Sequence, residues 1–236
     1  MWESIRKMWK IPELRNKILY TLGMLLLFRL VGVIPAPGVD AARVLTGTAT
    51  DLPILQLVNM MTGSNFANMT IMAMGITPYI NASIIMQLLT IAIPALERMQ
   101  RDEEGGGREK IARITRYVTV GLAAVQAIGL VAGLGYIKSG WFNYVLVGIS
   151  MAGGSALAMW IGERISEKGV GNGISMLIMA GILCNLFNGI VSGFTNASVG
   201  GTGSGWMNLL VIAVMFVIMV VVVTFVDMGE RRIPLQ

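Results

Sequence analysis

The chain has 236 residues, 55% of them hydrophobic and only 13% charged, with a mean hydropathy of +0.70. Soluble domains carry about 25% charged residues, so this much apolar surface exceeds what one water-facing core buries and calls for a bilayer as solvent. The chain has no histidine and a single cysteine, Cys184, set in an apolar run. That composition excludes a disulfide framework and removes the usual general base and metal ligand, so no catalytic residue, metal or cofactor is expected.

The first seventeen residues are polar and charged, carry no cleavable signal-peptide pattern, and are read as an N-terminal segment, 1–17. Six apolar runs then approach the ~20 residues a membrane span needs. They are Ile18–Ile34, Ile76–Leu96, Ile114–Ile137, Trp141–Ile161, Ile174–Phe194 and Trp206–Val226. The expected fold is an all-α polytopic bundle of six spans. A prelude to span 2, Gly63–Gly75, is too short and too polar to cross alone and is expected as a re-entrant half-helix. Gly200–Gly205 reads as a flexible external loop and Glu103–Arg108, with Gly105, Gly106 and Gly107, as a flexible cytoplasmic tip. Asp227–Gln236 turns polar without a closing element, as if the chain continued.

Lys and Arg set the orientation. The N-terminal segment holds Arg6, Lys7, Lys10, Arg15 and Lys17, and the loop between spans 2 and 3 holds Arg98, Arg101, Arg108, Lys110, Arg113 and Arg116. Arg164, Lys168, Arg231 and Arg232 complete a set of 15 of the 18 basic residues on one face, against Arg43 and Lys138 on the other. The N-terminus is therefore expected in the cytoplasm. The net charge of +5 and pI near 9.6 fit anionic lipid and this positive-inside bias better than nucleic acid.

Two stretches and one residue stand out. In Ala73–Gln87, AMGITPYINASIIMQ, Gly75 and Pro78 are expected to break the helix. Beyond them Ile80 and Ile84 fall one turn apart on one face, and Gln87 places an amide mid-span, either as glue between helices or against water. In Trp160–Ile178, WIGERISEKGVGNGISMLI, Gly169, Gly171, Asn172 and Gly173 make a reversal before a helix that carries Ile174 and Ile178 one turn apart. The spacing lacks a phosphate-loop pattern, so a nucleotide site is not expected. Arg29, about two-thirds through span 1, marks either a pathway or buried partner, or a side chain snorkelling to the interface.

With these two stretches, IPELRNKI before span 1, RLVGVIPAPGVD after it and ERRIPLQ at the end, the chain resembles the SecY/Sec61α family in its bacterial form along its whole length. The resemblance implies a ten-span channel of two five-span halves. This chain corresponds to the first half, 18–194, then 195–236 as an external loop, the sixth span and the start of a cytoplasmic loop. It implies a plug at Gly63–Gly75, with Ser64, Asn65, Phe66, Asn68 and Thr70. It also implies a pore ring including Ile80, Ile84, Ile174 and Ile178, and a lateral gate near Gln87 and Gln126. Docking surfaces for partners would include Arg108, Lys110, Arg164, Lys168, Arg231 and Arg232. The implied partners are the SecE and SecG subunits, the SecA motor or a ribosome, whose RNA would be the one nucleic acid touched, together with signal peptides, nascent polypeptides and lipid. The implied role is passage of unfolded secretory chains across the bacterial plasma membrane and lateral release of membrane segments, without enzymatic chemistry.

A secondary transporter with broken helices is the alternative. It requires polar or charged groups at the midplane, and the spans offer only Gln87, Gln126 and small polar residues. An intramembrane enzyme is weaker still: without histidine only a Ser–Lys pair remains, and Lys138 and Lys168 lie in loops.

Overall fold

The computed structural model describes residues 12–40, 44, 53–101, 106–138, 140–199 and 204–229. These form eight helices: α1 Pro12–Val31, α2 Pro53–Thr62, α3 Thr77–Ala92, α4 Pro94–Arg101, α5 Gly107–Gly133, α6 Trp141–Lys168, α7 Gly173–Val199 and α8 Ser204–Asp227. Strand pairing among the described residues is confined to two isolated antiparallel bridges, Pro35 with Thr70 and Val39 with Ile137. The chain divides into two units, Met1–Leu183 and Cys184–Gln236. The second holds the later part of α7 and α8, whose apolar stretch Ala213–Asp227 is exposed throughout.

Three described helical stretches are long and apolar enough to cross a membrane by themselves: Glu109–Gly133, Trp141–Lys168 and Gly173–Gly193. The pair α3 and α4 makes a fourth candidate but is bent by 102°. Among the described residues, length and composition thus mark three spans, or four if the bent pair is one. Span 2, expected to run unbroken from Ile76 to Leu96, stops at Ala92 because of Pro94. A residue before proline is driven out of the helical region, and Ile93 is extended, with φ −110° and ψ 110°. Span 1 also ends early: α1 closes at Val31, which puts Arg29 in its last turn rather than two-thirds of the way through. Span 3 starts seven residues sooner than expected. Gly106, at φ +65°, turns the chain into α5, so Lys110, Arg113 and Arg116 ride on helix rather than loop.

In the first unit α6 is the central helix. Of its apolar window 56% is buried, against 28% for α5 and 11% for Gly173–Gly193. Its buried face is small-sided, with Gly154, Ala158 and Gly162 at four-residue spacing, the pattern that lets helices approach closely where lipid supplies no hydrophobic drive. α5 packs along both α6 and α3, and α1 packs against α6. Gly148 shows how tight the α5 contact is: a Cβ there would lie 2.8 Å from Cδ1 of Ile128.

The expected half-helix at Gly63–Gly75 is a correction. The short helix lies before it, at Pro53–Thr62, and residues 63–76 form a train of turns. The backbone explains why. Gly63, Ser64, Met69 and Gly75 all have positive φ, at 67°, 70°, 44° and 51°, and left-handed residues do not propagate a right-handed helix. This turn segment is nonetheless deeply packed. Phe66, Met69, Ala73 and Met74 join one core cluster with Val39, Val131, Val147 and Met151. Met72 and Ile76 join a second, with Phe28, Ile161, Ile165 and Leu177.

Candidate functional site

The most distinctive local geometry surrounds this turn segment. α2 ends in a Schellman motif: Ser64 N–H donates to Asn59 O at 3.0 Å and Gly63 N–H to Met60 O at 3.3 Å, around left-handed Gly63. Asn59 Oδ1 then accepts from Ala67 N–H at 2.9 Å, and Thr62 Oγ1 from Phe66 N–H at 3.3 Å, curling the chain back under the helix end. Farther along, Ala36 N–H donates to Met69 O at 3.1 Å and Ile71 N–H to Ile34 O at 3.0 Å, pinning the segment to the residues that follow α1. Of the implied plug residues, Asn65, Phe66 and Thr70 are buried, Ser64 is half-buried and Asn68 is exposed. Asn65 Nδ2 is buried with no hydrogen-bond partner.

Beside this segment lies a small, partly open cleft. Phe28 of α1, Met61 and Thr62 of α2, Gly75 to Thr77 of the turn, Ile80 of α3, and Leu177 and Ile178 of α7 line it. Two residues of the implied pore ring, Ile80 and Ile178, thus face one space. Ile174, like Ile80, packs against the second core cluster, whereas Ile84 is 49% exposed. Among the described residues its lining carries no charge, and the hydroxyls of Thr62 and Thr77 are its polar side-chain groups. Among the described residues no group of three or more His, Cys, Asp or Glu residues is placed to hold a metal. A transporter's polar midplane site has no counterpart in it.

The implied gate and docking residues are more scattered. Gln87 is exposed on α3 and Gln126 half-buried on α5, two helices that pack together. Lys110 is exposed near the start of α5, Arg108 lies in its first turn, and Lys168 is exposed at the end of α6. Arg164 pairs with Glu167 at 2.8 Å and lies over the Trp160 ring at 5.7 Å, so it is partly engaged within its own helix. Arg231 and Arg232 fall outside the described residues.

Three anchors were not legible from motifs. Arg29 Nη1 donates to Gly63 O at 2.8 Å, which decides in favour of a partner for this arginine. Thr21 Oγ1 accepts from Val170 N–H at 3.1 Å, fixing the α6–α7 reversal to α1. Arg116 on α5 pairs with Glu163 on α6 at 2.9 Å. Only the long-range position of an isolated charge, such as Arg29 in an apolar run, gave a signal in advance.

The fold and cleft define a multi-pass α-helical membrane protein in which a tightly packed turn segment lies beside an apolar cleft. The chain belongs to the SecY family, whose model matches residues 70–236. It is 38% identical over 250 residues to a protein translocase subunit SecY of Corynebacterium glutamicum, covering 99% of this chain and 55% of the relative. The SecY subunit of Synechocystis is 38% identical over 239 residues, covering 99% of this chain and 53% of the relative. The chain thus spans about half the length of the curated relatives it matches. Among solved structures, it resembles Sec61 in a canine ribosome–channel complex from the endoplasmic reticulum, with TM-score 0.68 and 22% identity over 94% of this chain and 50% of that one. It also resembles a protein-conducting channel, with TM-score 0.59 and 23% identity over 80% of this chain and 42% of the other. These two likenesses establish the fold.

Proposed function

We propose that the chain forms part of the central channel of a bacterial protein translocase, which passes unfolded polypeptides across the plasma membrane and releases apolar segments sideways into lipid. The observation that carries this reading is the apolar cleft where Ile80 and Ile178 meet beside the packed turn segment 63–76. A collar of aliphatic side chains closes around chains of any sequence, and it blocks ions by dewetting rather than by binding them. In this reading the turn segment is the resting seal, and Gln87 and Gln126 lie near a lateral exit between α3 and α5.

The same reading makes the protein a passive conduit without enzymatic activity, driven by partners. The names of its relatives and the ribosome–channel complex of its structural neighbour support translocon subunits of the SecE and SecG kind, and either a ribosome or the SecA motor, as those partners. The 15 basic residues on one face support a cytoplasmic N-terminus, with Lys110, Arg164 and Lys168 on the partner-facing side.

The test is electrical. Ile80→Ser and Ile178→Ser, alone and together, are introduced into the full-length protein and reconstituted in planar bilayers. Resting ion conductance is expected to rise, most in the double variant. Conductance equal to that of the unaltered channel in all three would sink the assignment of the cleft as the pore constriction.

A further inference from the structure

Arg29 occupies a place that its charge makes costly. It stands in the last turn of α1, half-buried beside Phe28 of the core cluster, and none of the described ion pairs includes it. What it meets instead is the carboxyl end of α2, where Nη1 donates to Gly63 O at 2.8 Å across 34 residues of sequence. A helix C-terminus carries partial negative charge and unpaired carbonyls. The guanidinium therefore finds there the one kind of partner that offsets its charge without a carboxylate. The fit is close: a Cβ on Gly63 would fall 2.7 Å from Nη2 and 2.9 Å from Nη1. Gly63 is thus glycine for two reasons, its left-handed φ of 67° and the group lying over it.

We propose that Arg29 is a positioning residue that latches the turn segment 63–76 in its packed position, its guanidinium clasping the point where that segment leaves α2. The segment's other fastenings to the residues after α1 are backbone pairings, at Ile34 with Ile71 and Ala36 with Met69. Those break only if the backbone itself moves. The Arg29 contact is different, because a side chain swings aside by rotamer change and frees the start of the segment first. A released guanidinium in an apolar surrounding needs a new polar partner, so its release is favoured by any movement of the segment that admits water. The identification of this segment as a seal rests on the proposed function; the latch itself rests on the contact.

The experiment measures the two separately in the full-length protein in lipid. Arg29→Met keeps the length and apolar character of the stem but removes the donors, and Arg29→Leu serves if that variant does not fold. Amide hydrogen exchange over residues 63–71 is expected to accelerate on the order of tenfold, the scale set by losing a hydrogen bond from a charged donor. Exchange in α5 and α6 should stay as it was. Arg29→Lys, which restores a cation with a single-point donor, is expected to recover part of the protection. Unchanged exchange over 63–71 in Arg29→Met, or no recovery with lysine, overturns the latch. Resting conductance is recorded on the same samples. Faster exchange with a rise in conductance supports latch and seal together, while faster exchange without it keeps the latch and removes the sealing role.

Discussion

Thr21 and Val170, 149 residues apart in sequence, are joined by a hydrogen bond of 3.1 Å from the Val170 N–H to Thr21 Oγ1. The same hydroxyl donates to Lys17 O at 2.9 Å, so it is used in both directions at once. Thr21 is only 3% exposed, and Gly169 is held so near that a Cβ there would lie 2.6 Å from Thr21 Oγ1. One buried side chain thereby sets where the α6–α7 reversal sits against α1.

Thr21→Val tests this contact, since valine keeps the shape and removes the hydroxyl. Val170 is 39% exposed, so its freed N–H regains some water and the cost should fall near the low end of the 1–3 kcal/mol for an unmade buried hydrogen bond. The reversal should loosen more than the bundle. Limited trypsin digestion at Lys168 is expected to speed up several-fold while the thermal midpoint falls by only a few degrees. Equal cleavage rates would mean that the reversal is held by its own turn alone.

Gly154 and Gly153 are neighbours on α6 with opposite surroundings, and their alanine variants should differ in sign. At Gly154 a Cβ would collide with the carbonyl of Ile71, a backbone group with little room to move. At Gly153 nothing lies within 4 Å. Gly153→Ala should stabilise by up to about 1 kcal/mol through helix propensity. Gly154→Ala should destabilise by about 1–3 kcal/mol, the usual range for overpacking, and should disturb residues 69–73 first. Thermal unfolding of the two purified variants side by side decides it, and two shifts of the same sign would rule out the close approach of α6 to the turn segment.

The ion pair between Arg116 and Glu163 connects α5 to α6, with side chains 47% and 22% exposed. At that exposure a double-mutant cycle with Arg116→Gln and Glu163→Gln should return about 0.2–1 kcal/mol. The value should shrink between low and high salt as screening shortens the range of the interaction. A coupling above about 3 kcal/mol would instead indicate a desolvated pair that holds the two helices in register.

Much of this architecture was legible from composition and periodicity, and the places where it was not have local causes. The apolar runs located the bodies of α5, α6 and α7 because helices of membrane-spanning length carry uninterrupted apolar character. Pro94, a helix-breaking residue inside the apolar run of span 2, produces the 102° bend. The turn segment was found, but its conformation was not. GSNFANMTIMAMG carries residues tolerant of helix, and its spacing does not announce that Ser64 and Met69 adopt left-handed backbone. In the cleft, Ile80 and Ile178 line one space, while Ile84 is 49% exposed, a difference that one-turn spacing on a helix does not reveal. Arg29 was marked by its cost, but its partner is a backbone carbonyl, and no pattern of side chains reveals which carbonyl a fold will bring near.

The wall of the cleft formed by α7 depends on how that helix starts. Asn172 Oδ1 accepts from Ile174 N–H at 3.0 Å and from Ser175 N–H at 3.4 Å, and Ser166 Oγ accepts from Gly173 N–H at 2.8 Å. Three of the four unpaired donors of a helix N-terminus are thus met by two side chains. Gly171 at φ +69° makes the turn that delivers Asn172 to this position. Asn172→Ala should cost about 1 kcal/mol, or about 2–4 °C for a chain of this size. Asn172→Asp should recover that loss, because a carboxylate serves as cap and also favours the positive end of the helix dipole. Since Leu177 and Ile178 lie one turn inside, fraying of this end should move them as well. A cysteine at position 178 is therefore expected to react faster with a water-soluble thiol reagent when Asn172→Ala is present, in a background with Cys184→Ala. An unchanged rate would separate the cap from the cleft and confine Asn172 to the stability of the reversal.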